Sequence, residues 1–446
     1  MRLAAVALVG IVLWVAATAR ATPADSLRGV LIAMARSEPQ REPVWVADGL
    51  VIEHADMRLE LGEGRVVFFE PVTVDGQERF FAAYYEGKGR IRFRPPVTIE
   101  RDQLRRFFGD DSLDRGIDGA LLLFDSAIYA KIAAGCRRSD QKAPKRMVSE
   151  ARKRLQDLTR AENYSYVFTA LRALVEQSER PFLVINCKPK GSDRLVYVYN
   201  PFSSEEVALW REYRAPGADF FELVNSYAEG LDETYERING TPKGRLAALH
   251  YDLNSSIDRS GKFAGEAAVT LRAYGGATRL ARLYFHKELE VDSVRTPGGD
   301  EVSFVRYTNK SHKSPDLYLF LPEEVTGGDT LHLRVYSHGD IAKAQAGVFD
   351  VRAGGQWYPH VAYRQHATFE MTFRTPSEYE FVAVGDEVDR RVVGDTLVTR
   401  WRLTEPVSNV TFAIGPMQKY EFGSELSGPV DIYYSEAVHE IGRAHV

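Results

Sequence analysis

From about residue 246 to about 417 the chain alternates apolar and polar residues in short runs, and this period of two limits its fold more than any other feature. Ala267, Val269 and Leu271 recur on one parity, with Glu266, Thr270 and Arg272 beside or opposite them. The same spacing returns at Leu317, Leu319 and Leu321; at Leu331, Leu333 and Val335; and at Phe369, Met371 and Phe373. Leu397, Thr399, Trp401 and Leu403 repeat it, as do Val410, Phe412 and Ile414. Pro297-Gly298-Gly299, Gly327-Gly328, Gly354-Gly355 and Thr375-Pro376 punctuate the runs. Successive side chains of a strand point to opposite faces, so each run buries one face and wets the other. With no helical stretch between the runs, the pattern predicts antiparallel sheets packed face to face, an all-β sandwich-like domain over residues 245–420.

The residues before it read differently. Arg65 to Phe69 and Arg90 to Phe93 are short β-type runs, which Gly62, Gly64, Gly76, Gly87 and Gly89 separate and Pro95-Pro96 ends. Ile99 to Phe108 reads as a helix and Ala120 to Phe124 as a buried strand. Met147, Val148, Ala151, Leu155 and Leu158 recur at three and four residues, as do Val167, Phe168, Leu171, Leu174 and Val175, which is the spacing of one helix face. Phe182 to Asn186 and Leu195 to Tyr199 return to strand character. Residues 30–240 are therefore expected to form a mixed α/β (α+β) accessory domain, ending at the turn-rich Asn239-Gly240-Thr241-Pro242-Lys243-Gly244. A chain of 446 residues exceeds one ordinary core, so a multidomain protein is expected.

The first residues carry an address. Arg2 precedes an apolar run from Leu3 to Ala17, and Ala19-Arg20-Ala21 offers small residues at the positions a signal peptidase inspects. Residues 1–21 read as a signal peptide cleaved after Ala21. The rival reading is a membrane anchor, but the run is shorter than the roughly 20 residues that span a bilayer. The expectation is a periplasmic or secreted protein with no membrane span after cleavage. A net charge of −5 supplies no basic face for nucleic acid. Cys136 and Cys187 are the two cysteines. In an oxidising compartment they are a disulfide candidate worth about 4 kcal/mol of chain entropy; the equal alternative is a pair of buried thiols.

The alternating region also contains an ordered series of phrases. His250-Tyr251-Asp252-Leu253 is followed by Phe263 to Leu271, then Leu289 to Val294 leading into Gly298-Gly299. Leu317 to Pro322, Leu333 to Gly339, Gln356-Trp357-Tyr358-Pro359, Phe373 to Pro376 with Tyr379 and Gly385, and Phe412 to Gly415 complete it. In this order and spacing the region resembles the N-terminal β-domain of the aminopeptidase N family, the gluzincin zinc metallopeptidases. A softer likeness to the leading segment of longer bacterial members lies at Tyr85 to Gly89 and Pro95-Pro96.

The resemblance implies that catalysis belongs to a later helical domain. There H-E-x-x-H places two imidazoles on zinc and a glutamate beside the activated water. This sequence contains no H-E-x-x-H; His439-Glu440-Ile441-Gly442-Arg443 has Arg at the second ligand position. No catalytic residue, no metal ligand and no cofactor is therefore expected within the chain, and zinc is expected in a catalytic domain that would follow. Residues 421–446 read as the start of that domain. The last six, Ile441 to Val446, match one reading frame of a common sequencing adapter and are read as an artefact. His332 with His338, and His360 with His366, are read as surface or hydrogen-bonded histidines rather than metal sites. Family members grip the substrate's free amine with an acidic or amide side chain a few residues before an aromatic, proline-containing turn. Gln356 is the one candidate for that role here, and the usual acidic phrase is absent. The expected function is that of an N-terminal, non-catalytic fragment of an exported zinc aminopeptidase-like metallopeptidase, packed beside the cleft that takes the peptide substrate. The alternative is a complete non-enzymatic scaffold that binds a peptide or glycan.

Overall fold

In the computed structural model the described residues are 23–159, 164–176, 178–203, 205–215, 218–230, 246–306, 315–341, 343–345, 348–351, 356–361, 366–424 and 428–435. The expected leader, the Asn239–Gly244 break, the Gly354-Gly355 turn and His439 lie outside them.

Helix α1 (Pro23–Arg36) opens the described chain, followed by β1 (Val44–Ala47), β2 (Leu50–His54) and β3 (Met57–Phe68). A small hairpin, β4 (Val72–Val74) and β5 (Gln77–Arg79), turns at Asp75-Gly76, both at positive φ, as a two-residue hairpin requires. Then come β6 (Ala82–Phe93), α2 (Thr98–Phe108), β7 (Leu113–Phe124), α3 (Ser126–Gly135), β8 (Cys136–Ser139), α4 (Lys145–Leu158) and α5 (Tyr164–Glu176). Four strands follow: β9 (Leu183–Pro189), β10 (Leu195–Tyr199), β11 (Val207–Ala215) and β12 (Ala218–Tyr227). They join a 10-stranded sheet in the order β12-β11-β10-β9-β7-β6-β3-β1-β8, with β2 paired to β3. Every one of these pairings is antiparallel.

The expected helix at Ile99–Phe108 and the two amphipathic helices are present, and Met147, Val148, Ala151, Leu155 and Leu158 form the buried face of α4. The glycines correct the sequence reading. Gly62, Gly64, Gly87 and Gly89 do not separate short strands; they lie inside the 12-residue strands β3 and β6, at irregularities of the ladder. A Cβ on Gly64 would stand 2.5 Å from Tyr85 Cε2 and 2.9 Å from Gly87 Cα. Glycine here permits close backbone approach and a bulge, not a break.

Two apolar layers cover this sheet. One face carries Val67, Leu121, Val184 and Val196 under α1, α4 and α5; the other carries Val66, Leu122, Ile185 and Tyr197 with residues of α2, α3 and β2.

The second half is β throughout its described residues: β13 (Leu246–Ile257), β14 (Lys262–Ala273), β15 (Thr278–Tyr284), β16 (Leu289–Arg295), β17 (Ser303–Val305) and β18 (Asp316–Val325). These are followed by β19 (Thr330–Asp340), β20 (Lys343–Gln345), β21 (Val348–Val351), β22 (Ala367–Pro376), β23 (Glu380–Ala383) and β24 (Asp386–Val393). The last are β25 (Thr396–Val407), β26 (Phe412–Gly415), β27 (Gln418–Ser424) and β28 (Gly428–Tyr434). A seven-stranded sheet (β16-β19-β14-β13-β22-β25-β24), a three-stranded sheet (β15-β18-β17) and a four-stranded sheet (β20-β21-β26-β23) share one core, and β27–β28 is a hairpin. Stacked sheets over a common core agree with the alternation. The expectation of purely antiparallel sheets is corrected at one place: β13 and β22 run parallel, from His250↔Thr368 to Ser256↔Arg374. Parallel neighbours need a long crossover, and the strands between them supply it.

Strand β18 departs from alternation as well. Leu317, Leu319 and Leu321 enter the β core, as expected, but Tyr318 and Phe320 are equally buried and belong to the layer under α1 and α5.

Candidate functional site

The residues singled out by sequence do not converge. Gln356 has a left-handed backbone, φ +45°, and its carbonyl accepts from His286 N–H at 2.9 Å. The aromatic turn after it faces inward. Trp357 Nε1 donates to the Val410 carbonyl at 2.9 Å, and Tyr358 packs against Tyr251 and Phe369. His360 stacks on Tyr358 with ring centroids 4.1 Å apart and exchanges two backbone hydrogen bonds with Tyr284. Burial pushes its imidazole down to about 4, so it is neutral at pH 7, and its Nε2 meets no hydrogen-bond partner among the described residues. His366 is exposed, just before β22. His332 and His338 both lie on β19: His332 Nδ1 meets Thr270 Oγ1 at 3.1 Å, and His338 Nδ1 meets Asp292 Oδ1 at 2.8 Å. Among the described residues no group of three or more His, Cys, Asp or Glu is arranged to hold a metal ion.

Cys136 and Cys187 are free, buried thiols, the second of the two alternatives, and the disulfide is not formed. Cys136 is on the edge strand β8 and Cys187 on β9, with β1, β3, β6 and β7 between them. Five ladder steps of about 4.8 Å place them well beyond the reach of a disulfide. Burial pushes the thiols up to about 11 and about 12, which makes both poor nucleophiles at neutral pH.

A group of polar residues that the sequence did not reveal gathers where the large sheet curls over itself. The β2–β3 turn reaches β10 and β12: Tyr197 O–H donates to the His54 carbonyl at 3.3 Å, and Tyr227 O–H donates to Asp56 Oδ2 at 2.9 Å. The His54 ring meets the Tyr199 ring edge-on at 3.8 Å, and Tyr199 O–H donates to Glu229 Oε2 at 2.6 Å. Arg180 joins Glu229 (3.0 Å) to the buried Glu206 (3.3 Å), whose other oxygen accepts from Glu229 N–H. Burial lowers His54, partly opposed by the nearby charges of Glu229 and Asp125; burial likewise raises Asp56, against the hydrogen bond from Tyr227. These residues are up to 175 positions apart in sequence and share no motif, so only the curl of the sheet brings them together.

Arg180 and Glu206 also line a cleft of about 600 Å³ between the two halves, with Glu176, Thr278 and Arg279 on its other walls. A larger cleft, about 1320 Å³, runs between β18 and the β16–β17 connection, past Asp292, Asp300, Glu301, Glu323 and His332. The arginines of the smaller cleft are paired: Arg279 with Asp75, and Arg180 with Glu206 and Glu229. Neither cleft sets a hydroxyl or thiol nucleophile against a histidine base among the described residues.

No family model matches the chain, and no curated protein matches it by sequence. Among solved structures, it is similar to an M1 zinc metallopeptidase from Deinococcus radiodurans at TM-score 0.36 and 18% identity, over 42% of this chain and 47% of that one. The E323A mutant of that enzyme bound to a Tyr-ser-ala substrate overlaps it at TM-score 0.36 and 17% identity, over 42% and 47%. A two-domain M1 zinc metallopeptidase E323A mutant bound to L-arginine gives TM-score 0.36 and 17% identity, over 43% and 48%. The matched region spans about half the length of these structures.

Proposed function

We propose that the chain is the amino-terminal, non-catalytic part of an exported zinc aminopeptidase-like protein, and that its β-rich half packs beside the peptide cleft of the whole molecule. One observation carries this reading: the strands that hold the family-like phrases, drawn from three different sheets, all contribute side chains to one core. His250–Leu253 lies in β13, Phe263–Leu271 in β14, Leu289–Val294 in β16, Leu317–Pro322 in β18, Leu333–Gly339 in β19, Phe373–Pro376 in β22 and Phe412–Gly415 in β26. Separate phrases that fell by chance into one sequence would have no reason to meet in a single interior.

On this reading zinc and the catalytic glutamate belong to a following helical domain, and Gln356 is the amide offered to a substrate amine. Its left-handed backbone is uncommon for a residue with a side chain, which supports a role in contact rather than in stability. Export to the periplasm or beyond follows from Arg2 and the apolar run after it.

The test is to purify the chain and measure bound zinc and zinc-dependent release of amino acids from aminoacyl amides. The expected result is neither. One tightly held zinc per chain, or release that a chelator abolishes, would end this reading. Reading the gene past codon 446 separates it from the scaffold alternative: H-E-x-x-H downstream belongs to the enzyme and its absence to the scaffold.

A further inference from the structure

We infer that α1 is a strap that welds the leading sheet to the β-rich half, so that the two fold and unfold as one cooperative unit rather than as two domains on a linker. The reason lies in β18. A strand on the outside of a sandwich buries one face, yet Asp316 to Leu321 are buried on both. Leu317, Leu319 and Leu321 serve the β core; Tyr318 and Phe320 join Leu280 in the core formed by α1, α4 and α5. Phe168 of α5 meets the Tyr318 ring at 4.4 Å and the Phe320 ring at 6.4 Å.

Helix α1 touches elements on both sides: α4, α5 and β4 of the leading half, and β17 and β18 of the other. Its Leu27, Leu31 and Met34 are buried in that shared layer. Polar contacts close the same seam. Thr278 O–H donates to Glu176 and Arg279 pairs with Asp75 across it, while within the β-rich half Arg282 grips Asp316 through two hydrogen bonds of 2.9 and 3.1 Å. Tyr318 O–H donates to the same Asp316 carboxylate at 2.9 Å. Contacts between domains on a linker are commonly polar and modest in area, whereas this one shares side chains with an interior. Opening it would expose Tyr318, Phe320, Leu31 and Met34 together, which ties the stability of either half to the other.

Hydrogen exchange by mass spectrometry on the full chain across a urea series tests this. Peptides from α5, β9 and β18 are expected to lose protection at one common urea concentration. In Leu31→Ala all three are expected to exchange at least about tenfold faster, in parallel. Phe320→Leu, on the opposite side of the seam, is expected to do the same to α5 and β9, and decides the matter if Leu31→Ala does not fold. Ile99→Ala, on the exposed side of α2, is the control that moves none of them. Separate transitions for β9 and β18 overturn the inference. So does a Leu31→Ala effect confined to the leading half, or a Phe320→Leu effect confined to the β-rich half.

Discussion

His360 shows how a single side chain can set an acid limit on the fold. It is held neutral, at about 4, between the Tyr358 ring and the Tyr284 backbone. In the unfolded chain an imidazole titrates near 6.5. Between those values the unfolded state binds the proton that the folded state refuses, so stability is complete above about 6.5 and is lost as pH falls towards 4. The loss attributable to this residue has an upper bound of about 3 kcal/mol. His360→Phe keeps an aromatic ring against Tyr358 and removes the titration. Urea melts of the variant at pH 7 and pH 4.5 are expected to differ less than those of the parent protein; an unchanged difference would assign the acid sensitivity elsewhere. Asp56 acts with the opposite sign. Burial raises its carboxyl, so the folded form holds the proton longer and its contribution to stability declines as pH rises through the carboxylate range. Asp56→Asn can still accept from Tyr227 O–H without a buried charge. It is expected to match or exceed the parent's stability at pH 7, with any advantage vanishing below pH 4, as thermal melts at both values would show.

At the scale of elements, the glycines of β3 and β6 teach more than their number suggests. A run broken by Gly62 and Gly64, or by Gly87 and Gly89, reads as strand, turn, strand, because glycine is the commonest punctuation. The structure uses it for the opposite purpose, inside two long strands whose backbones approach too closely for a Cβ. Gly64→Ala would drive a methyl group to 2.5 Å from the Tyr85 ring and 2.7 Å from the Glu86 carbonyl, of which only the ring can yield. The expected cost is about 2–4 kcal/mol, the range for overpacking that the backbone must absorb. Gly29→Ala, where the added Cβ meets nothing within 4 Å and the residue is helical, is the matched control and is expected to be neutral or mildly stabilising. Near-equal melting temperatures for the two variants would contradict this account. Single-strand periodicity was legible because it is local: Ala267, Val269 and Leu271, like Phe369, Met371 and Phe373, bury one side wherever they pair. Pairing direction was not. The parallel β13–β22 contact depends on a connection of more than a hundred residues that no local pattern encodes. The two-sided burial of β18 was equally hidden, since it is imposed by helices nearly 300 and 150 positions upstream.

For the molecule as a whole, apolar surface remains at the far end of the β-rich half. On the edge strand β24, Val388, Val392 and Val393 are exposed, the last two by about 60%. On the β27–β28 hairpin, Tyr420 and Ile432 stand opposite each other and are both exposed. Charge moderates the edge, with Asp386, Glu387, Asp389, Arg390 and Arg391 on the same strand, as edge strands commonly require. The hairpin has less such protection: Lys419 is engaged with Glu421 and Asp431, and the rings and branched chains beside them stay open. If the chain is part of a larger peptidase-like protein, this is the surface another domain would cover, and the isolated chain should then be prone to associate through it. Sedimentation of the purified chain at rising concentration is expected to reveal reversible self-association. Val392→Lys with Ile432→Lys is expected to reduce it, at a cost below about 1 kcal/mol, because neither side chain leaves a core. A monomer at every concentration would mean that this end needs no cover. Association undiminished in the double variant would move the contact elsewhere, and the edge strand β16 would be the next place to substitute.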